Sequence, residues 1–183
     1  SDVIKKNIPL IKKNNILKTL KLLKDNYFLI TLHRPETVDD PVKFKKLILI
    51  FEKLGKKFNK RFIFPTHPRT KKMIKKMDIN KLNFIEFIDP LEFLDFLSLM
   101  KNSKIVFTDS GGVQEETSLL GVPCITIRKS TERQLTIKEK TNILTGYDYN
   151  KICNAIIYFN KNKIKASKIF GDGNVANKIF YKL

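Results

Sequence analysis

The chain has 183 residues, 36 Lys and Arg against 18 Asp and Glu, and a formal net charge of +18. That length suits one domain with a real core; no apolar run reaches the roughly 18 residues of a membrane span, and the polar, basic opening lacks the apolar stretch of a secretion signal. Cys124 and Cys153 stand apart with no CxxC pattern, and there are two histidines, so the sequence suits a reducing cytoplasm and offers no disulfide framework, metal site or cofactor motif.

The charge invites a nucleic-acid or anionic-membrane reading. The lysines, however, are spread along nearly every predicted helix, and no RNP-type aromatics, zinc-finger spacing or arginine-rich tract accompany them. A solvated lysine surface that attracts anionic substrates is the favoured reading, with a basic nucleic-acid-binding module as the alternative.

In chain order, residues 1–12 read as a linker or frayed end. Asn14 to Lys24 places Ile16, Leu17, Leu20 and Leu23 at helical spacing, and Asn26 marks the end. Tyr27 to Leu32 is a buried strand that delivers His33 and Arg34 at its C-terminal edge, where open α/β sheets bind ligands. From position alone His33 reads as a structural histidine. Asp39-Asp40-Pro41 predicts a capped helix start, with the helix running to about Lys57 on a core face of Phe44, Leu47, Ile48, Phe51 and Leu54. Arg61 to Phe64 is the next strand, and His67 again sits just past its end. A short helix over Lys71 to Met77, a strand over Asn83 to Ile88 and a helix over Leu91 to Met100 follow.

Lys104 to Phe107 is a fourth strand, and Val113 to Leu120 a helix that stops at Gly121. Between them lie a cap, Asp109 or Ser110, and the glycines Gly111 and Gly112. Strand, glycine turn and helix start point free N–H groups and a positive dipole end at an anion. Glu115 and Glu116 are expected in the first helical turn, where a carboxylate can accept from sugar hydroxyls. Val122 to Ile127 is a strand ending at Arg128, with Arg133 close behind; guanidinium donors there suit a diphosphate. Asn142 to Gly146 is the last strand, Asp148 caps a helix over Tyr149 to Phe159, and Gly171-Asp172-Gly173 opens a terminal helix within 172–183. Strand and helix alternate about six times, which predicts an α/β fold: a Rossmann-like parallel sheet with helices on both faces, in one domain over 1–183.

The wording of these motifs carries more. Asp109-Ser110-Gly111-Gly112-x-Gln114-Glu115-Glu116, Gly121-x-Pro123, Arg128 and Thr131-Glu132-Arg133 closely resemble the non-hydrolysing UDP-N-acetylglucosamine 2-epimerases. Thr31-Leu32-His33-Arg34-Pro35-Glu36, Pro65-Thr66-His67-Pro68 and Gly171-Asp172-Gly173 agree in order. The resemblance covers nearly the whole chain but only the C-terminal, nucleotide-binding half of that family's protein. It implies one half of a glycosyltransferase-B-like fold. The late position of the glycine motif, with no GxGxxG after the first strand, fits this better than an NAD-binding domain.

The resemblance also implies the reaction: reversible inversion at C2 of UDP-N-acetylglucosamine to UDP-N-acetylmannosamine, through elimination and re-addition of UDP. On that reading Ser110, the Gly111 and Gly112 backbone, Arg128 and Arg133 hold the diphosphate, and Glu116 holds the ribose hydroxyls. Phe96 stacks on uracil, His67 lies near the nucleotide sugar, and His33 with Arg34 contacts the diphosphate or positions the sugar, which makes His33 the catalytic candidate. The family's acid/base carboxylates lie in its N-terminal half, so this chain is expected to bind UDP or UDP-sugar weakly and to be inactive as an epimerase alone; the family commonly forms homodimers, largely through its other half. One departure stands out: after Thr131-Glu132-Arg133 the family continues Pro-Glu-Ala or close to it, whereas this chain has Gln134-Leu135-Thr136. The alternative within the fold is half of a UDP-sugar glycosyltransferase or of a hydrolysing epimerase.

Overall fold

Tyr27–Thr31 (β1) shows how the core divides. Successive strand residues point to opposite faces, so Tyr27 and Leu29 fall into one apolar cluster while Phe28 and Ile30 fall into the other. All four are buried, as a strand covered on both sides requires. The computed structural model describes residues 2–77, 82–167 and 170. Among them, β1 joins Arg61–Pro65 (β2), Ile85–Ile88 (β3), Ile105–Thr108 (β4), Cys124–Thr126 (β5) and Asn142–Leu144 (β6) in one parallel sheet, ordered β3-β2-β1-β4-β5-β6. This is the expected Rossmann-like α/β architecture; the order reverses direction between β1 and β4.

The helices are Asp2–Lys13 (α1), Ile16–Thr19 (α2), Pro35–Val38 (α3), Pro41–Phe58 (α4), Pro68–Lys76 (α5), Phe93–Lys101 (α6), Gly111–Leu120 (α7), Gln134–Lys138 (α8) and Tyr149–Lys161 (α9). α4 and α9 cover one face of the sheet. There Phe28, Phe51, Phe62 and Phe107 stack as tilted and edge-on rings with centroids 5.0–5.5 Å apart. α1, α2, α6 and α7 supply the other cluster. The expected face of α4 is buried as read, and Asp40 caps it by accepting from the Val42 and Lys43 N–H groups. Asp148 caps α9 by accepting from Lys151 N–H.

Two local expectations are corrected. Residues 1–12 are not a linker: all but Ser1, which is outside the described residues, lie in α1, with Ile4 and Ile11 buried against the α6 cluster. Burial of this seven-residue-spaced pair outweighs the cost of Pro9 inside the helix. The helix expected over Asn14 to Lys24 stops at Thr19. Lys21 takes the left-handed conformation (φ 51°), its N–H donates to Lys18 O, and Leu22 N–H donates to Leu17 O. That is a Schellman stop; it buries Leu22 and leaves Leu23 72% exposed. The segment after Arg133 opens as α8. The terminal helix expected within 172–183 lies outside the described residues.

α7 ends as read, by the same device with a glycine. Gly121 (φ 68°) donates to Ser118 O, Val122 N–H donates to Thr117 O, and a Cβ at Gly121 would lie 2.7 Å from Ala166 N. Gly121→Ala combines a left-handed backbone with a clash against main chain. It is expected to lower unfolding stability by about 1–3 kcal/mol in urea titration.

Candidate functional site

Parallel strands whose connections leave in opposite directions open a crevice at their C-terminal ends. Here that crevice lies between β1 and β4, paired through Thr31 and Thr108. Beyond those residues β1 continues into His33 and Arg34, and β4 into Asp109, Ser110 and Gly111. The two exits are tied by Asp109, whose side chain is fully buried. Its carboxylate accepts from the N–H of Arg34 (3.1 Å) and of His33 (3.2 Å), and His33 Nδ1 lies 3.4 Å from Asp109 Oδ1. Asp109 is therefore not the cap of α7. Ser110 holds the N-cap position without a side-chain cap bond, and its own N–H donates to Thr108 Oγ1.

α7 begins at Gly111, two residues before the expected start, because both glycines take helical conformation. Glu115 and Glu116 consequently sit in the second turn, not the first. Glu115 pairs with Arg133 Nε, a close ion pair that lacks hydrogen-bond direction. Glu116 is half-buried and has no hydrogen-bond or ion-pair partner among the described residues. Burial, and then the neighbouring Glu115 carboxylate, push its carboxyl above the ordinary range. A half-buried carboxylate left without a donor is a candidate to receive one from a ligand.

The loop after β5 closes the other side. Arg128 Nη1 lies 2.9 Å from Glu132 Oε2, and Arg34 reaches Glu132 at 3.8 Å and Glu36 at 3.4 Å. The Glu132 carboxylate rests against the start of α7: a Cβ on Gly111 would lie 2.5 Å from Glu132 Oε1 and 3.6 Å from Arg133 Nε. Its own backbone N–H, then the Arg128 and Arg34 guanidinium groups, hold the Glu132 carboxyl below the ordinary range.

A buried neutral network holds this loop. Gln114 Oε1 accepts from Thr131 Oγ1 (2.7 Å) and from Asn142 Nδ2 (3.1 Å), and Gln114 Nε2 donates to Ser110 O. Asn142 also donates to Thr136 Oγ1 and accepts from Thr126 Oγ1. The divergent Gln134-Leu135-Thr136 thus keeps the loop anchored. Gln134 donates to Thr131 O, Thr136 is buried in the network, and Leu135, in place of the family's acid, is about half exposed.

The structure brings His33, Arg34, Ser110, Gly111, Gly112, Arg128 and Arg133 to one end of the sheet. His67 is exposed at the end of β2, the strand next to β1. Phe96 is partly buried on α6, packed against the cluster that α7 shares. Sequence reading missed the clamp role of Asp109 and the parts of Gln114, Thr131, Thr136 and Asn142. The one signal available was a carboxylate directly after a buried strand and before a glycine pair. Cys124 is no nucleophile candidate: it is fully buried, and burial pushes its thiol up to about 12.

A family model described as UDP-N-acetylglucosamine 2-epimerase matches residues 1–183. The chain belongs to that family. A UDP-N-acetylglucosamine 2-epimerase of Methanococcus maripaludis is 40% identical over 180 residues, covering 94% of this chain and 49% of that protein. The crystal structure of the Methanocaldococcus jannaschii UDP-GlcNAc 2-epimerase in complex with UDP-GlcNAc and UDP superposes with a TM-score of 0.86 at 37% identity, over 99% of this chain and 51% of that one. The glycotransferase of kitacinnamycin, at 11% identity and TM-score 0.56, covers 76% of this chain and 36% of its own; it shares the fold alone, which is glycosyltransferase-B-like. The chain spans about half the length of the curated relatives it matches.

Asp109→Ala would leave two N–H groups without their acceptor, with an expected loss of about 2–4 kcal/mol in urea unfolding. For Glu116 the sign follows from the raised carboxyl: the fold disfavours the ionised form, so its destabilising effect is present at neutral pH and fades as the group protonates. Glu116→Gln should therefore melt above wild type at pH 7, and the difference should close on acidification toward the ordinary carboxylate range. Thermal melts across that window check it.

Proposed function

We propose that this chain is the UDP-binding half of a UDP-N-acetylglucosamine 2-epimerase. The observation that carries the reading is the start of α7 at the strand-order reversal, where Asp109 locks two loops around a glycine turn flanked by Arg34 and Arg128. A helix start beside two guanidinium groups is built for a diphosphate.

In the proposed reaction a base takes the C2 proton, the C1–O bond breaks, and its electron pair leaves with UDP, so a 2-acetamidoglucal forms. UDP then adds back at C1 while C2 is protonated on the other face. This chain's part is to stabilise the leaving diphosphate as its charge develops. Ser110, the Gly111 and Gly112 N–H groups, Arg128 and Arg133 serve that role, with Arg34 beside them. Glu116 receives the ribose hydroxyls and Phe96 stacks on uracil. His33 contacts the diphosphate or positions the sugar, and His67 lies toward the nucleotide sugar. The base must be a carboxylate or similar group within reach of C2. Glu36, Glu115 and Glu132 are paired with arginines, Glu116 is given to the ribose, and relatives are about twice as long. We therefore place the base outside these 183 residues and expect no epimerase activity from the chain alone. A cytoplasmic setting fits the two free, buried cysteines.

Calorimetry with UDP tests the reading. Saturable one-to-one binding is expected, weakened in Glu116→Ala by about 1 kcal/mol or more for a lost charged hydrogen bond. Failure to bind UDP up to millimolar concentration would count against the nucleotide site.

A further inference from the structure

Glu132 has no part in the scheme above, yet it occupies the centre of the phosphate end. Its carboxylate bridges Arg128 at 2.9 Å and Arg34 at 3.8 Å, and it rests so close to Gly111 that a Cβ there would sit 2.5 Å from Oε1. A phosphate oxygen bonded to the first amides of α7 must come within about 3 Å of them. It would enter the space the carboxylate fills, beside a like charge, and would seek the same two guanidinium groups. The three side chains differ in freedom. Arg128 is 16% exposed and Arg34 30%, whereas Glu132 is 46% exposed on its loop. The group able to leave is the carboxylate, not the arginines.

We infer that Glu132 sets nucleotide affinity by competing with the diphosphate for Arg34, Arg128 and the Gly111 turn. On binding, Glu132 rotates into solvent and the arginines exchange a carboxylate for phosphate oxygens without moving far. The pairing holds both guanidinium groups in place before the ligand arrives, and it penalises any ligand too weakly charged to take them over. The inference rests on the nucleotide-binding reading, and its test separates the two.

UDP, uridine and inorganic pyrophosphate are titrated calorimetrically into wild type, Glu132→Gln, Arg128→Gln and the double variant. Glu132→Gln is expected to tighten UDP by roughly two- to fivefold, the scale of an exposed charge pair, and to leave uridine unchanged. Arg128→Gln should weaken UDP, and the gain from Glu132→Gln should shrink in that background. If wild type binds UDP and Glu132→Gln binds it equally or more weakly, the role of Glu132 is wrong and the nucleotide reading stands. An equal gain for uridine, or a gain undiminished without Arg128, also overturns it. Tighter pyrophosphate binding by Glu132→Gln without UDP binding would support the competition and sink the nucleotide reading. No binding of UDP or pyrophosphate by either protein overturns both.

Discussion

The site depends on one buried carboxylate. Parallel strands hold each other through backbone ladders, but the ladder ends where the loops diverge, and nothing in the sheet specifies how two diverging loops sit together. Asp109 supplies that constraint, since its oxygens accept from the His33 and Arg34 N–H groups across the strand-order reversal. A buried carboxylate without donors would be strongly unfavourable. The loop after β1 therefore has to present its amides to Asp109, and in doing so sets Arg34 beside the start of α7. The functional geometry and the satisfaction of a buried charge are the same arrangement.

A second support is electrically neutral. Gln114, Thr131, Thr136, Asn142 and Thr126 form a buried set of amides and hydroxyls joining α7, β5, β6 and the loop that carries Arg128 and Arg133. Such a network rigidifies without adding net charge, so the field at the helix start is left to the arginines and their carboxylate partners. Cations that are held in position beforehand need little reorganisation when charge develops on a leaving group. This accords with membership of an epimerase family in which the Methanocaldococcus jannaschii enzyme has been solved in complex with UDP-GlcNAc and UDP.

Much of the fold was legible in the residues. α4 was readable because its cap, its Pro at N1 and five core side chains at helical spacing all agree, and no tertiary contact contradicts them. The six strands were readable as apolar runs bounded by turn residues. α1 was not, because Pro9 and scattered lysines hide a helix whose stability comes from Ile4 and Ile11 packing on α6. The stop of α2 was not either: a lysine took the left-handed position usually marked by glycine, since burying Leu22 favoured it. The start of α7 slipped by two residues because glycine is a poor predictor of helix, yet at a helix start it costs little.

The site divides along the same line. Local parts of the site follow from the residues alone: a glycine turn after a buried strand, arginines past another strand end, and motif wording specific enough to point to one family. These depend on neighbours within a few residues, and local chemistry decides them. The pairings emerge with the folded chain: Asp109 with a loop 75 and 76 residues away, Glu132 with Arg34 and Gly111, and Gln114 with Asn142. Each requires the sheet order to be known, because that order alone brings β1, β4, β5 and β6 to one edge. Burial then selects which polar groups must meet.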